Sequence, residues 1–285
     1  MIAKIMERLS VISIYVSHNS DAYIKKFSSR HRAELGEKTF LINSSSNDIE
    51  AEDYYDFGVV NIGENIGFSA ANNVGIKIGA KYEPDYFLLV NPDVFLPTSW
   101  LQNLLKVIDD LHNVGVFTVP LLGYDFEKDK PTGLIDSLGI SHTWFGRWFD
   151  VSQGDSVAVL NKELPPYDVP AACGALMLIH KDVVCELLDK DGYVFNESYF
   201  MYKEDIELSI RVKKLGRKIM MIPSAPAFHC RGWSKSRVNT SYWARKLSAR
   251  NELKMHARFF WRFLPYSIAK YIYVRYFERL VLWRV

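Results

Sequence analysis

Glu204 and Asp205 are adjacent acids lying between an aromatic run, Tyr199-Phe200-Met201-Tyr202, and a stretch whose apolar residues recur at helical spacing. Ile206/Ile210 and Leu208/Val212/Leu215 supply the recurrence and Gly216 a natural stop, which predicts an amphipathic helix opening at the acids. A carboxylate at the mouth of a helix, walled by Phe and Tyr, can serve as a general base. Acids also favour that position for capping and for the helix dipole, and both roles can hold together. The dipole would lower the acid's pKa, whereas a bound diphosphate would raise it. Asp93 is the second chemistry-bearing residue. In Asn91-Pro92-Asp93 the proline ends a strand ladder and presents the aspartate outward. Such a carboxylate can hold a hard divalent cation that already carries phosphate oxygens, although a lone Asp in a turn is more often only a turn residue. His229 is the third, followed by Arg231, Gly232 and Ser234, a loop chemistry that suits a metal–diphosphate group. A lone histidine is more often structural.

These residues need a scaffold, and the order of elements supplies one. Val11-Ile-Ser-Ile-Tyr-Val16 reads as a buried first strand ending in the polar Ser17-His18-Asn19-Ser20, with a helix through Ala22–Glu34 capped by Ser20. Thr39–Ile42 is a second strand running into Asn43-Ser-Ser-Ser-Asn-Asp48, and Val59–Ile62 a third. Strand, polar loop, helix, strand opens a parallel sheet with crossover helices, and ligands bind beyond the carboxyl ends of such strands. Gly63-Glu-Asn65-Ile-Gly67 then enters a helix near Ser69 that carries Asn73 and Gly75. Its N-terminus is either an anion site or a plain capped helix after a glycine turn. The spacing is neither G-x-G-x-x-G nor a P-loop, which argues against a dinucleotide oxidoreductase or a P-loop enzyme. Tyr86–Val90 is the clearest strand, Leu101–Leu111 a core-facing helix and Val114–Val119 the next strand. Residues 120–168 have no clear period and read as a long loop, in which Trp144, Phe145 and Trp148 pack beneath or stack on a sugar. Ala171–Ile179 reads as a buried strand whose small residues, Gly174 among them, let a ligand approach, and Lys218–Ile222 as a short strand before His229.

The totals narrow the field. With 285 residues, 48% hydrophobic and 24% charged, the composition is that of an ordinary globular protein, and a formal charge of +2 gives no push toward nucleic acid. Three widely spaced cysteines, Cys173, Cys185 and Cys230, argue against a disulfide framework or a zinc site and fit a reducing compartment. The first ten residues do not form a secretory signal, and no run approaches the ~20 apolar residues that span a bilayer. The expected location is the cytoplasm, free or peripheral on the cytoplasmic face of the inner membrane. From about Ser241, cations interleave with Phe, Tyr and Trp, and the acids are Glu252 and Glu278 alone. Such helical segments suit an anionic membrane surface. On a helical wheel over 266–284, however, the cations fall on no single face. An appendage packed on the domain, or on a second copy in a homodimer, fits as well.

Taken together, the motifs resemble the inverting family-two glycosyltransferases of the GT-A fold, in particular the rhamnosyltransferase-like branch. The matching pieces run in unbroken order over roughly residues 10–236: Asn65-Ile-Gly67-Phe68 with Asn73 and Gly75, Asn91-Pro92-Asp93, Gly174, Phe200-Met-Tyr-Lys-Glu204-Asp205-Ile-Glu207 with Arg211 and Gly216, and His229 with Gly232 and Ser234. The resemblance implies an α/β, Rossmann-like GT-A domain over 1–236, with a mixed, mainly parallel central sheet flanked by helices, followed by a basic, aromatic helical appendage over 237–285. It also implies that Asp93 and His229 hold Mg²⁺ or Mn²⁺ on the donor's diphosphate, that Asp205 is the base, and that Glu204, Arg211 and Trp233 support the acceptor side. Ser17, Asn19, Asn43, Asn65, Gly67, Asn73, Asn91 and Gly174 would line the nucleotide-sugar site. Asn43 stands where the family commonly has an Asp that pairs with a pyrimidine, and Asn can still accept its N3–H. Phe195-Asn196-Glu197 replaces the family's Phe-Asp-Glu, which would shift acceptor preference. The expected reaction moves a sugar, dTDP-rhamnose being the first donor and UDP-sugars an alternative, to a cell-surface glycan or polyprenyl-linked glycan, as in O-antigen synthesis. The competing reading is a non-catalytic nucleotide-sugar binder in a polysaccharide-synthesis complex, against which Asp93, Asp205 and His229 together argue. A nucleotidyltransferase would want a triphosphate loop that Ser17–Ser20 does not supply.

Overall fold

The computed structural model describes residues 9–31, 35–36, 38–54, 57–230 and 240–278. The chain opens with β1 (Val11–Ser17), α1 (Asp21–His31), β2 (Lys38–Asn43), β3 (Gly58–Asn61) and α2 (Gly67–Gly79). Next come β4 (Tyr86–Val90), β5 (Val94–Phe95), α3 (Trp100–Ile108), β6 (Val114–Thr118), β7 (Leu121–Asp125), β8 (Lys130–Ser137), β9 (Ile140–His142) and β10 (Trp148–Asp150). β11 (Tyr167–Asp168), β12 (Leu176–His180), α4 (Lys181–Asp191), α5 (Glu204–Lys214), β13 (Lys218–Met221) and β14 (Ala227–His229) follow, and α6 (Tyr242–Phe259), α7 (Leu264–Ile272) and a π-helical turn, Tyr273–Phe277, that continues α7 close the described chain.

Eight strands form the central sheet in the order β11-β13-β6-β12-β4-β1-β2-β3. Strands β1 to β4 pair in parallel, β12 runs antiparallel between β4 and β6, and β13 is parallel to β6. Apart from Ser13 and the terminal Ser17, β1 is apolar or aromatic, because both faces of the sheet are covered. Val11 and Tyr15 enter one core and Ile12 and Ile14 the other, as alternate residues must. Tyr86, Leu88 and Val90 of β4 face the first core, Phe87 and Leu89 the second. α2 lies unusually close to the sheet. A Cβ on Gly75 would come within 2.4 Å of the Ile14 side chain, so this position needs a residue without one.

The expected mixed α/β sheet is present. Three local expectations are corrected. Residues 120–168 are not one long loop: β7 and β8 form an antiparallel pair, β9 and β10 a hairpin, and β11 edges the main sheet. Their period was hidden because the hairpins mix exposed and buried faces with glycines at turns. Within Ala171–Ile179 only the second half is strand, since a turn closed by the Leu176 N–H on the Cys173 carbonyl precedes β12. The first helix is described only over Asp21–His31, and Ser20 caps it through its backbone carbonyl, its hydroxyl donating instead to the His18 carbonyl.

The C-terminal helices pack on the sheet domain through polar contacts. Buried Glu207 of α5 accepts from Arg258 at 3.2 Å and Trp148 Nε1 donates to His256 Nε2 at 3.2 Å, while buried Glu252 of α6 pairs with Lys270 of α7 within the appendage. Burial holds His256 down at about 4, neutral at physiological pH and able to accept that bond. The boundary expected near residue 236 falls outside the described residues.

Candidate active site

A second sheet, in the order β5-β14-β7-β8, stands beside the carboxyl end of β4 and is the structural origin of the site. Antiparallel pairing of β5 with β14 sets His229 opposite Val94, the residue after Asp93. The Cys230 N–H also donates to the Asp93 carbonyl at 2.8 Å, fixing the two turns together. His229 Nε2 therefore lies 3.2 Å from Asp93 Oδ2. Its Nδ1 lies 2.7 Å from Asp136 Oδ2 on β8, and that carboxylate is fully buried. A carboxylate can only accept here, so Nδ1 carries the hydrogen and Nε2 is aimed at Asp93. Burial depresses the His229 pKa, but Asp93 and Asp136 outweigh it and bring the imidazolium to about 9. Two acids around one buried imidazole leave it cationic unless another cation takes the proton's place.

Asp93 and His229 line a cavity of about 570 Å³ whose other walls include Asn91, Gly174, Lys203, Glu204 and Asp205. Asp205 is the second residue of α5. Its Oδ2 accepts from the Gly174 N–H at 3.1 Å and its Oδ1 from its own helix's Ile206 N–H at 2.8 Å. The turn of small residues at Cys173-Gly174 thus exists to bring a backbone donor to this acid, and a Cβ at Gly174 would crowd it at 3.1 Å. Burial raises the Asp205 pKa, opposed by the Lys203 charge and the two N–H donors. Glu204 is raised well above the usual range, by burial first and then by Asp205. Its Oε2 is buried and has no hydrogen-bond partner among the described residues.

The loop feeding α5 is strained. Tyr202 and Lys203 have φ of 70° and 74°, a left-handed conformation that costs roughly 1–3 kcal/mol at each non-glycine residue. Asn251 of α6, fully buried, donates to the carbonyls of Met201 and Tyr202, both at 2.9 Å, and so holds the loop in place. On the other side the Phe68 N–H donates to the Phe200 carbonyl at 2.8 Å. This contact needs Gly67, which has φ of 84° and whose Cβ would stand 2.5 Å from that carbonyl oxygen.

The cavity gathers Asn65, Gly67, Asn91, Asp93, Gly174, Glu204, Asp205 and His229 of the residues expected at the site. It does not gather five others. Ser17 is buried beneath it, and His18 and Ser20 line it instead. Asn19 takes a left-handed turn and gives its N–H to Ser45. Asn43 is buried and donates to Asn47 O and Asn61 Oδ1, tying the loop after β2 to β3. Asn73 exchanges hydrogen bonds with the Phe195 backbone, fastening the 195–197 turn to α2. Arg211 is buried between Glu207, Asp191 and the Val194 carbonyl, an internal ion pair rather than a cavity residue. Trp233, with Arg231, Gly232 and Ser234, lies outside the described residues. Sequence reasoning missed Asp136 and passed over Lys203. The one trace of Asp136 is an acid between the apolar residues Leu134, Ile135 and Leu138, with Ser137 beside it. Of the three loop aromatics, Trp148 is buried against the cavity, while Trp144 is 88% exposed.

No family model matches the chain. Among curated proteins it is 26% identical over 244 residues to the low-salt glycan biosynthesis hexosyltransferase Agl10 of Haloferax volcanii, covering 83% of this chain and 72% of that protein. It is 25% identical over 242 residues to the rhamnosyltransferase WbbL of Escherichia coli, covering 77% and 83%. An N-acetylglucosaminyl-diphospho-decaprenol L-rhamnosyltransferase of Mycobacterium tuberculosis matches at 26% over 194 residues, covering 64% and 61%. Among solved structures, GalNAc-T7 with UDP, GalNAc and Mn²⁺ superposes with a TM-score of 0.61 at 18% identity, over 98% of this chain and 54% of the other. A mannosyltransferase from Pyrobaculum calidifontis with GDP-Man and Mn²⁺ gives 0.57 at 15% identity, over 97% and 73%. The fold is that of the GT-A glycosyltransferases, and the chain is a sequence relative of rhamnosyltransferases.

Proposed function

We propose that this rhamnosyltransferase relative is a metal-dependent inverting glycosyltransferase that moves a sugar from a nucleotide diphosphate to an acceptor hydroxyl. The observation that carries the reading is that one cavity holds Asp205 together with the Asp136-supported pair His229–Asp93. Among the described residues no cluster of three or more His, Cys, Asp and Glu could hold a metal alone. Asp93 and His229 offer two donors, which suits a hard cation whose remaining ligands are phosphate oxygens and water. Asp136 accepts from His229 Nδ1 behind the ring and so holds Nε2 toward the cation. When bound, Mg²⁺ or Mn²⁺ would neutralise charge developing on the departing diphosphate.

In the reaction, the acceptor oxygen attacks the sugar's anomeric carbon in line as the bond to the diphosphate breaks. Asp205 takes the acceptor's proton. Its two backbone donors fix the carboxylate's orientation, and each oxygen keeps a lone pair for the proton. Because burial raises its pKa, Asp205 is a stronger base than an exposed aspartate, while Lys203 helps keep it ionised. dTDP-rhamnose is the first donor to test, its rhamnosyl group being the one named in two relatives. The lipid-linked glycan acceptor rests on the decaprenol-linked substrate in one of those names. Asp205→Asn should cut transfer by ~10²–10⁴-fold while leaving donor binding intact, measured as nucleotide diphosphate release beside a binding titration. A fully active Asp205→Asn enzyme would remove the assignment.

A further inference from the structure

The helix from Leu264 to Glu278 is built inside out. Its inward positions include Ser267, Lys270 and Glu278, and the two charges are neutralised by partners on α6: Lys270 pairs with buried Glu252, and Glu278 accepts from Arg245 Nε at 3.0 Å. Its exposed positions are Pro265, Ile268, Ala269, Ile272, Tyr273, Arg275, Tyr276 and Phe277, apolar or aromatic apart from Arg275. At 100° per residue Pro265, Ile268, Ala269 and Ile272 fall on one face of the α-helical part, and Tyr273 and Tyr276, in the π-helical turn Tyr273–Phe277 that follows, continue the exposed apolar surface; none of these six is charged. A helix on a soluble surface normally shows the reverse pattern, so this face is made to be covered. Trp261, 80% exposed in the preceding turn, extends the apolar surface at one end, and Phe277, 51% exposed, at the other.

The charge around the stripe selects what covers it. Of residues 240–278 the only acids are Glu252 and Glu278, and both are buried in the ion pairs just described. Arg262 and Arg275 are exposed near the two ends of the stripe, and Lys246 and Arg250 add to the positive surface of α6. A second copy of the chain across a two-fold axis would set these cations against themselves with no counter-charge from the segment. An anionic bilayer supplies both requirements, acyl chains for the apolar face and headgroups for the arginines, with Trp and Tyr at the level they prefer. We infer that the Leu264–Glu278 helix is an in-plane docking surface for anionic lipid, lying on the membrane rather than crossing it. No helix among the described residues is long and apolar enough to cross. The signal is in the apolar residues: the cations of this segment follow no single face, whereas the exposed apolar positions of α7 do.

The test is flotation of the full chain with vesicles of phosphatidylcholine alone or mixed with phosphatidylglycerol. The expected result is recovery with the mixed vesicles, reversed by high salt, and little with phosphatidylcholine alone. Ile268→Ser with Ile272→Ser should lower the partition by about tenfold or more, and Arg262→Gln with Arg275→Gln should lower it at low salt only. A thermal melt checks that each variant is folded, and Tyr276→Ser, at a position 60% exposed, is a second probe of the same face. Failure of the wild-type chain to float with anionic vesicles, or unchanged flotation of the folded double-serine variant, overturns the inference. So does a wild-type dimer that the double-serine variant dissociates, which would assign the face to a second copy.

Discussion

His229 can serve a cation only if its imidazole points one way, and Asp136 determines that direction from a position with no exposure of its own. Asp136→Asn keeps the shape but removes the charge behind the ring, so metal affinity should fall ~10–100-fold, read by metal titration of a donor-induced melting shift. Unchanged metal dependence would separate Asp136 from the site. Glu204 carries a different signature. Its folded-state pKa is raised, so the protein binds that proton more tightly when folded. The resulting stability is full below the usual glutamate pKa and is lost as pH rises through the folded value. Glu204→Gln, which cannot ionise, should therefore raise the melting temperature more at pH 8 than at pH 4. An equal shift at both would show that Glu204 is not a buried acid. Asp205 is raised in the same direction, so the acid limb of kcat/KM should lie above the ordinary aspartate range.

At the scale of elements, the site is a meeting of loops that tight backbone contacts hold in place. The α5 entry loop is left-handed at two residues and is gripped by Asn251 from one side and by the α2 start from the other. Asn251→Ala would remove both hydrogen bonds that hold the Met201 and Tyr202 carbonyls, at a cost of about 0.5–1.5 kcal/mol each, and should lower kcat more than it weakens donor binding. Equal loss of both would mean general unfolding rather than misplacement of Asp205. Much of this framework was legible in the chain. β4 is read as Tyr86–Val90 and forms over the same five residues, because a fully apolar β-branched and aromatic run ended by Pro92 admits little else. The helix at Glu204 follows its apolar spacing and stops at Gly216. What was not legible is long-range: Asp136 reaches His229 across 93 residues of sequence, and Asn251 reaches Tyr202 across 49. Asn43, Asn73 and Arg211 sit in motif positions, yet their polar atoms serve the backbone and internal ion pairs, a distinction that only three-dimensional partners reveal.

For the whole molecule, the C-terminal helices are joined to the sheet domain by buried charge as well as by apolar packing. Glu207 is shared between Arg211 and Arg258, so deleting the chain from residue 240 would strand a fully buried carboxylate with one partner. Such a truncation should lower stability by several kcal/mol and diminish soluble expression, and a truncated protein melting like the full chain would contradict this. We propose that the cavity at the carboxyl end of β4, walled by the sheet domain with Ser248 of α6 at its rim, binds an activated sugar through a metal held by Asp93 and His229. The direct measurement is the melting temperature of the full chain with dTDP-rhamnose and UDP-sugars, with and without Mg²⁺ or Mn²⁺, beside Asp93→Ala and Asp205→Asn. Saturation at a hundredfold above Kd is worth about 2.7 kcal/mol, a shift of several degrees for a chain of this size. The account predicts that shift for the wild-type and Asp205→Asn proteins only when metal is present, and its loss in Asp93→Ala. No shift with any thymidine or uridine sugar, or a shift that survives Asp93→Ala, would contradict it.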